Sequence, residues 1–224
     1  HNPLRFFWLI ANPGSVMTLG VYFICVFMPV SIAAALLEVL RRPVPKWLTW
    51  TGIVSAFCVA AYTGFLLGVV SAYPLWNNAI LPVLFVVSAL SAGLAATSLV
   101  GLITDRERFE QMWLIKKSHV ILSAIEMVVL ATMLIIVSSG SPEGAASVAS
   151  LVSGQYAPMF WGGLVLLGLV APFAIEGYPV FVTRKVETST TSMVVSVIGE
   201  GGVLVGGFML RLLVILAALP VLYL

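Results

Sequence analysis

The sequence predicts an all-α integral membrane protein, a helical bundle with six visible spans. Composition is the first sign: 61% of the 224 residues are hydrophobic and 9% charged, with a mean hydropathy of +1.12, against about 25% charged in a soluble domain. The second is continuity. Apolar residues come in unbroken runs of the ~20 residues that a hydrocarbon core requires, without the alternation of barrel strands. The third is that no charge falls between Lys46 and Asp105. A net charge of +2 gives no reason to invoke nucleic acid.

The spans follow in order, as one transmembrane domain over 1–224. The first runs from Ser15 to Leu40, the second from Trp47 to Ala72 and the third from Asn78 to Ile103. The fourth covers His119 to Ser139, the fifth Phe160 to Thr183 and the sixth Met193 to Tyr223. The sixth is long for a ~30 Å core and is expected to tilt or protrude. Between them, TDRERFEQMWLIKK (104–117) reads as a mixed-charge connector or short interfacial helix. The Gly/Ser/Ala-rich stretch 138–158 reads as a mobile or surface-draped loop.

The basic residues are unevenly placed. Arg41, Arg42 and Lys46 follow span one, Arg106, Arg108, Lys116 and Lys117 follow span three, and Arg184 and Lys185 follow span five. Arg5 alone belongs to the opposite face, and Arg211 lies within span six. Lys/Arg bias in short loops sets orientation, so the first group is expected in the cytoplasm. The 72–78 loop, the 138–158 segment and both ends of the chain then face outward.

Charges inside the spans stand out, because one at the bilayer centre costs about 2.5–3.5 kcal/mol even on insertion scales. They are Glu126, Glu176, Glu200 and Arg211. By a rise of ~1.5 Å per residue, Glu126 lies roughly 12 Å inward from the basic end of span four. Glu176 and Glu200 fall in the same half, and Arg211 nearer the middle or outer half. Glu200, Leu204, Gly207 and Arg211 recur on nearly one helical face. Gly202 and Gly206 form a small-xxx-small pair that lets a neighbour come close. Two readings apply to such a set: ion pairs that fix packing, or protonatable groups entering from the basic face. Buried pairing alone is no evidence of transport, so packing is the first reading for Glu176 and Glu200.

Cys25 and Cys58 lie inside apolar runs, where thiols are mostly inert. His1 and His119 supply no pair of axial ligands within the spans. The chain is therefore expected to carry no haem or metal of its own.

The loop AYPLWNN (72–78) is short, aromatic and amide-rich. It reads on its own as an aromatic belt with helix-capping asparagines. In its wider context, AYTGFLLGVVSAYPLWNNAILPVLFVVSALSAGLAA (61–96) resembles the core of the NrfD/PsrC-type family. NPLRFFWLIANPGSVMTLG (2–20), SAIEMVVL (123–130) and LVGGFMLRLLV (204–214) agree in order. Ala217-Ala218-Leu219 stands where the family often has Gly-Gln, a departure at the outer end. The resemblance implies the last six helices of an eight-helix bundle, in a prokaryotic cytoplasmic membrane. It further implies a quinone, menaquinone or ubiquinone, bound near the outer face. Electrons would pass to or from a ferredoxin-like iron–sulfur subunit docked there, and beyond it a catalytic subunit, commonly of the molybdopterin type. Tyr62 matches the family's quinone-side tyrosine; Tyr73, Trp76, Asn77 and Asn78 offer aromatic walls and amide donors. Glu126 and Arg211, with Glu200 and Glu176, become candidates for carrying protons. The alternative is a proton-conducting or secondary-transport subunit without quinone chemistry, although no inverted repeat or broken helix pair supports it.

Overall fold

The computed structural model describes residues 12, 14–104, 113–178, 181 and 190–221. They form α1 (Val16–Val39), α2 (Lys46–Gly68), α3 (Ile80–Thr104), α4 (Trp113–Gly140) and α5 (Pro142–Val152). A π-helical segment (Met159–Val170) then continues as α6 (Ala171–Tyr178), and α7 (Thr190–Leu216) ends the bundle. Among the described residues, six helices are long and apolar enough to cross a membrane. No strand occurs among these residues. The all-helical reading and the six expected spans agree with this.

α3, α4, the π-helix/α6 span and α7 surround the interior, while α2 packs on α3 and α1 packs on α2. Only Thr18 and Gly20 of α1 are buried, so most of that helix presents apolar side chains outward, as a lipid-facing helix does. Packing is closest where side chains vanish. A Cβ built on Gly168 would lie 2.5 Å from Gly206 Cα, and one on Gly202 the same distance from Leu167 O. The Gly202/Gly206 pair thus lets α7 meet the fifth span backbone to backbone, as small-xxx-small pairs do.

Several boundaries differ from expectation for local reasons. α4 begins at Trp113, so Lys116 and Lys117 belong to the helix and not to a loop, and Lys116 is buried. α7 stops at Leu216, and Pro220, which disfavours helical geometry at Leu219 and lacks a backbone N–H, keeps it from running on to Tyr223. The stretch expected to be loop contains α5. Ser141 caps it by accepting a hydrogen bond from Gly144 N (3.0 Å), with Pro142 in the first turn and Glu143 near the positive helix end. Between Glu200 and Gly207 on α7, Val203 and Gly206 are buried, and Leu204 is exposed. The expected helix within 104–117 falls largely on 105–112, outside the described residues.

Gly206→Leu is expected to push α7 off the fifth span and destabilise the bundle by at least about 1–3 kcal/mol, the usual penalty of overpacking. Gly201, on the same helix, has open space around its Cα, so Gly201→Ala should leave stability within about 0.5 kcal/mol. Detergent unfolding titrations of the two variants check this.

Candidate functional site

The buried stripe of α4 changes character along its length. At 3–4-residue spacing it reads Lys116, His119, Ser123, Glu126, then Leu130, Met133 and Val137, all buried. α7 does the same with Ser196 and Glu200 followed by Leu210, Leu213 and Val214. The half of the bundle near the basic loops is therefore polar inside, and the opposite half is filled by aliphatic side chains. Leu75, Leu81, Leu84 and Phe85 from the 72–78 loop and α3 close that apolar cluster.

Three ionisable side chains meet in the polar half. His119 Nδ1 of α4 lies 2.8 Å from Glu176 Oε2 of α6 and 3.1 Å from Glu200 Oε2 of α7. All three are at most 1% exposed. Lys116, one turn nearer the start of α4, donates from Nζ to Ser196 Oγ at 2.7 Å and stands within electrostatic reach of both carboxylates. Lys116 and a protonated His119 match the two glutamates charge for charge, which is what a buried cluster in a low dielectric needs.

Two turns further along α4, on the same face, lies Glu126. It sits beside Ser88 of α3 and within electrostatic reach of Arg211 and His119. Arg211 Nη1 donates to Gly207 O at 2.8 Å, and the guanidinium carbon stands 5.5 Å from the centre of the Phe85 ring. Gly207 faces the same space: a Cβ there would make ordinary contacts, 3.5 Å from Arg211 Nη1 and 3.6 Å from Ser88 Oγ. Ser91 Oγ, also buried, finds no hydrogen-bond partner among the described residues.

At the far face, a cleft of about 370 Å³ is lined by Ser71, Pro74, Asn77, Asn78, Ile136 and Gly140, among others. The 72–78 loop forms one wall and is held in place from several sides. Leu75 is fully buried, the Tyr73 and Trp76 rings pack with centroids 4.2 Å apart, and Trp76 Nε1 donates to Val214 O at 2.7 Å. Asn78 Oδ1 accepts from Ile80 N at 2.9 Å and so starts α3. Val221 N donates to Ala72 O at 2.8 Å, and Leu219 N donates to Ser147 Oγ of α5 at 3.1 Å.

The structure thus brings Asn77 and Asn78 together at the cleft, Glu176 and Glu200 together around His119, and Glu126 within reach of Arg211. Tyr73 and Trp76 brace the loop and are not among the residues lining the cleft. Tyr62 stands apart, on the α1–α2 seam. Its ring lies against Gly20, where a Cβ would collide with it, and its hydroxyl is 3.5 Å from Met17 O, too long for a strong hydrogen bond. Sequence reasoning missed His119, Lys116 and Ser196 as members of the polar interior. The usable signal was the seven-residue spacing of His119 and Glu126, which returns to one helical face.

The model of the family described as polysulphide reductase, NrfD, matches residues 2–222. The C subunit of the polysulfide reductase of Wolinella succinogenes is 30% identical, with 78% of this chain and 62% of the relative covered. NrfD of Escherichia coli K12 is 30% identical over 80% of this chain and 54% of the relative. An NrfD homolog of Haemophilus influenzae is 28% identical over 73% and 50%. The chain spans between half and two thirds of the length of these relatives. Sequence match and six apolar helices agree: the chain is a multi-pass membrane protein of the NrfD polysulphide reductase family.

Proposed function

We propose that this chain is the quinone-binding membrane anchor of a prokaryotic respiratory oxidoreductase, with its basic loops in the cytoplasm. It exchanges electrons between membrane quinone and an iron–sulfur subunit seated on the opposite face, which serves a catalytic subunit, commonly of the molybdopterin type. The family membership and the names of the relatives support the redox assembly. The observation that carries the mechanism is the two-part interior: a polar column from the basic face to Glu126 and Arg211, an aliphatic seal beyond it, and an amide-lined cleft on the far face.

The cleft fits a quinone headgroup. Its volume of about 370 Å³ lies within the ~300–1,000 Å³ of small-molecule sites. Asn77 and Asn78 offer amide donors beside the apolar wall of Ile136 and Val137. When bound, menaquinone or ubiquinone supplies a two-electron, two-proton couple. Asn78 uses its oxygen to start α3, which leaves the amide nitrogen as its donor. Trp76 and Tyr73 hold the loop rigid. Tyr62, about 9 Å nearer the bilayer centre than the end of α2 by helical rise, offers a phenol on the lipid-facing seam. We assign it, on the family resemblance, to a hydrogen bond with a quinone oxygen at that seam, apart from the cleft, during the quinone's passage from the lipid.

Protons follow the polar column. Glu176, Glu200 and His119 hold one near the basic face, and Glu126 beside Arg211 holds the next. Ser91 offers a place for water between helices, since buried water settles on unsatisfied polar groups. The leucine-rich seal beyond Glu126 argues against the second reading, a conductor open from face to face, and ends the polar column short of the cleft.

Asn77→Ala and Tyr62→Phe are each expected to raise the quinol KM of the assembled complex about tenfold, the equivalent of one lost hydrogen bond at ~1.4 kcal/mol. Asn78→Asp, which keeps the capping oxygen and loses the amide nitrogen, should do the same without lowering stability. Unchanged quinol kinetics in all three would sink the headgroup assignment. Glu126 lies ten residues, about 15 Å by helical rise, from the cleft wall at Ile136. Glu126→Gln should therefore slow proton uptake from the basic face several-fold in vesicles, while quinol KM and quinone bound per complex stay constant.

A further inference from the structure

The geometry at the polar end supports more than charge balance. One ligand atom each from His119, Glu176 and Glu200 lies within 4.8 Å of the other two, and all three side chains are buried. His119 Nδ1 is at hydrogen-bonding distance from both carboxylates, 2.8 Å and 3.1 Å. Yet neither His119 Nδ1 nor Glu200 Oε2 makes a hydrogen bond of acceptable geometry, and both are shut off from solvent. These atoms approach one another without pointing along each other's bonding axes. Donors that converge on a common point stand in this way around an ion.

We propose that His119 Nδ1, Glu176 Oε2 and Glu200 Oε2 form a binding site for a borderline divalent cation of the zinc class. One imidazole nitrogen and two carboxylate oxygens, from three helices, make the three-ligand set that zinc accepts with its fourth position open. Metal–ligand distances of ~2.0–2.2 Å in a tetrahedron put ligand atoms about 3.3 Å apart. The observed pairs need to separate by only a few tenths of an ångström to admit the ion. Calcium is a poor fit because it needs six to eight oxygens, and magnesium prefers an octahedron largely filled by water. Two carboxylates cancel the charge of the dication. The ammonium of Lys116 opposes it from within electrostatic reach, so the site is tuned for reversible rather than permanent occupation.

An ion there ties α4, α6 and α7 together at their basic-face ends. It also occupies the point where the polar column opens. None of its ligands lies near the cleft, so ion binding is measured without quinone turnover, and the same three side chains are those that hold a proton in the column proposed above.

The test is direct binding of Zn2+, as the metal alone, to the full complex in lipid nanodiscs, read by competition with a chromophoric chelator. One saturable ion per chain is expected. Affinity should fall at least tenfold in His119→Gln and in Glu200→Gln. It should rise several-fold in Lys116→Met, which removes the opposing charge and keeps every ligand. Because the two ligand variants can lose the fold, X-ray absorption of the zinc-loaded native complex gives a second readout. A single imidazole with oxygen neighbours near 2.0 Å is expected. Sulfur ligation from Cys25 or Cys58, more than one imidazole, no saturable binding, or affinity unmoved by all three substitutions overturns the proposal.

Discussion

Charge held away from water must meet its opposite, and in this bundle that requirement organises the interior. A lone carboxylate or ammonium in hydrocarbon is strongly unfavourable. Glu176 and Glu200 therefore draw His119 between them and Lys116 towards them, while Glu126 sits within reach of Arg211. These groups come from α4, α6 and α7, so the pairing helps fix the rotation of these helices against one another. Apolar helices in lipid gain little from hiding greasy faces from one another. Buried polar contacts and close backbone approach have to supply the specificity.

The close approach is the second half of that account. Gly168 on the fifth span and Gly206 on α7 remove the side chains that would hold the helices apart, and Gly64 does the same for α2 against Pro82 of α3. The fifth span adds an unusual feature, a π-helical run over Met159–Val170. Such winding is normally confined to single turns and often found near functional sites. Here it leads directly into α6, the helix that delivers Glu176 to His119.

Much of this was legible in the amino-acid order. Span number, the asymmetry of basic residues, the glycine pair and the four intramembrane charges are all local signals that a linear reading can see. The triad was not visible in the same way. His119 fell at an expected helix boundary because Lys116 and Lys117 look like a stop signal, and only glutamates far off in sequence, Glu176 and Glu200, make a buried lysine and histidine tolerable there. α5 was hidden for the opposite reason. Its Gly/Ser/Ala composition is weak evidence for any structure, and a single capping serine with a following proline decides the matter. Tyr62 shows a third kind of gap: its depth was readable, but its facing Gly20 of α1 rather than the cleft depends on how α1 and α2 pack.

The far face is stitched from parts remote in sequence. Backbone and side-chain hydrogen bonds run from Trp76 to Val214, from Val221 to Ala72 and from Leu219 to Ser147. The short segment after α7 therefore acts as a rivet through the 72–78 loop and α5. A load applied to any one of these pieces is shared by the other two, so the surface above the cleft yields as a plate and not as separate flaps.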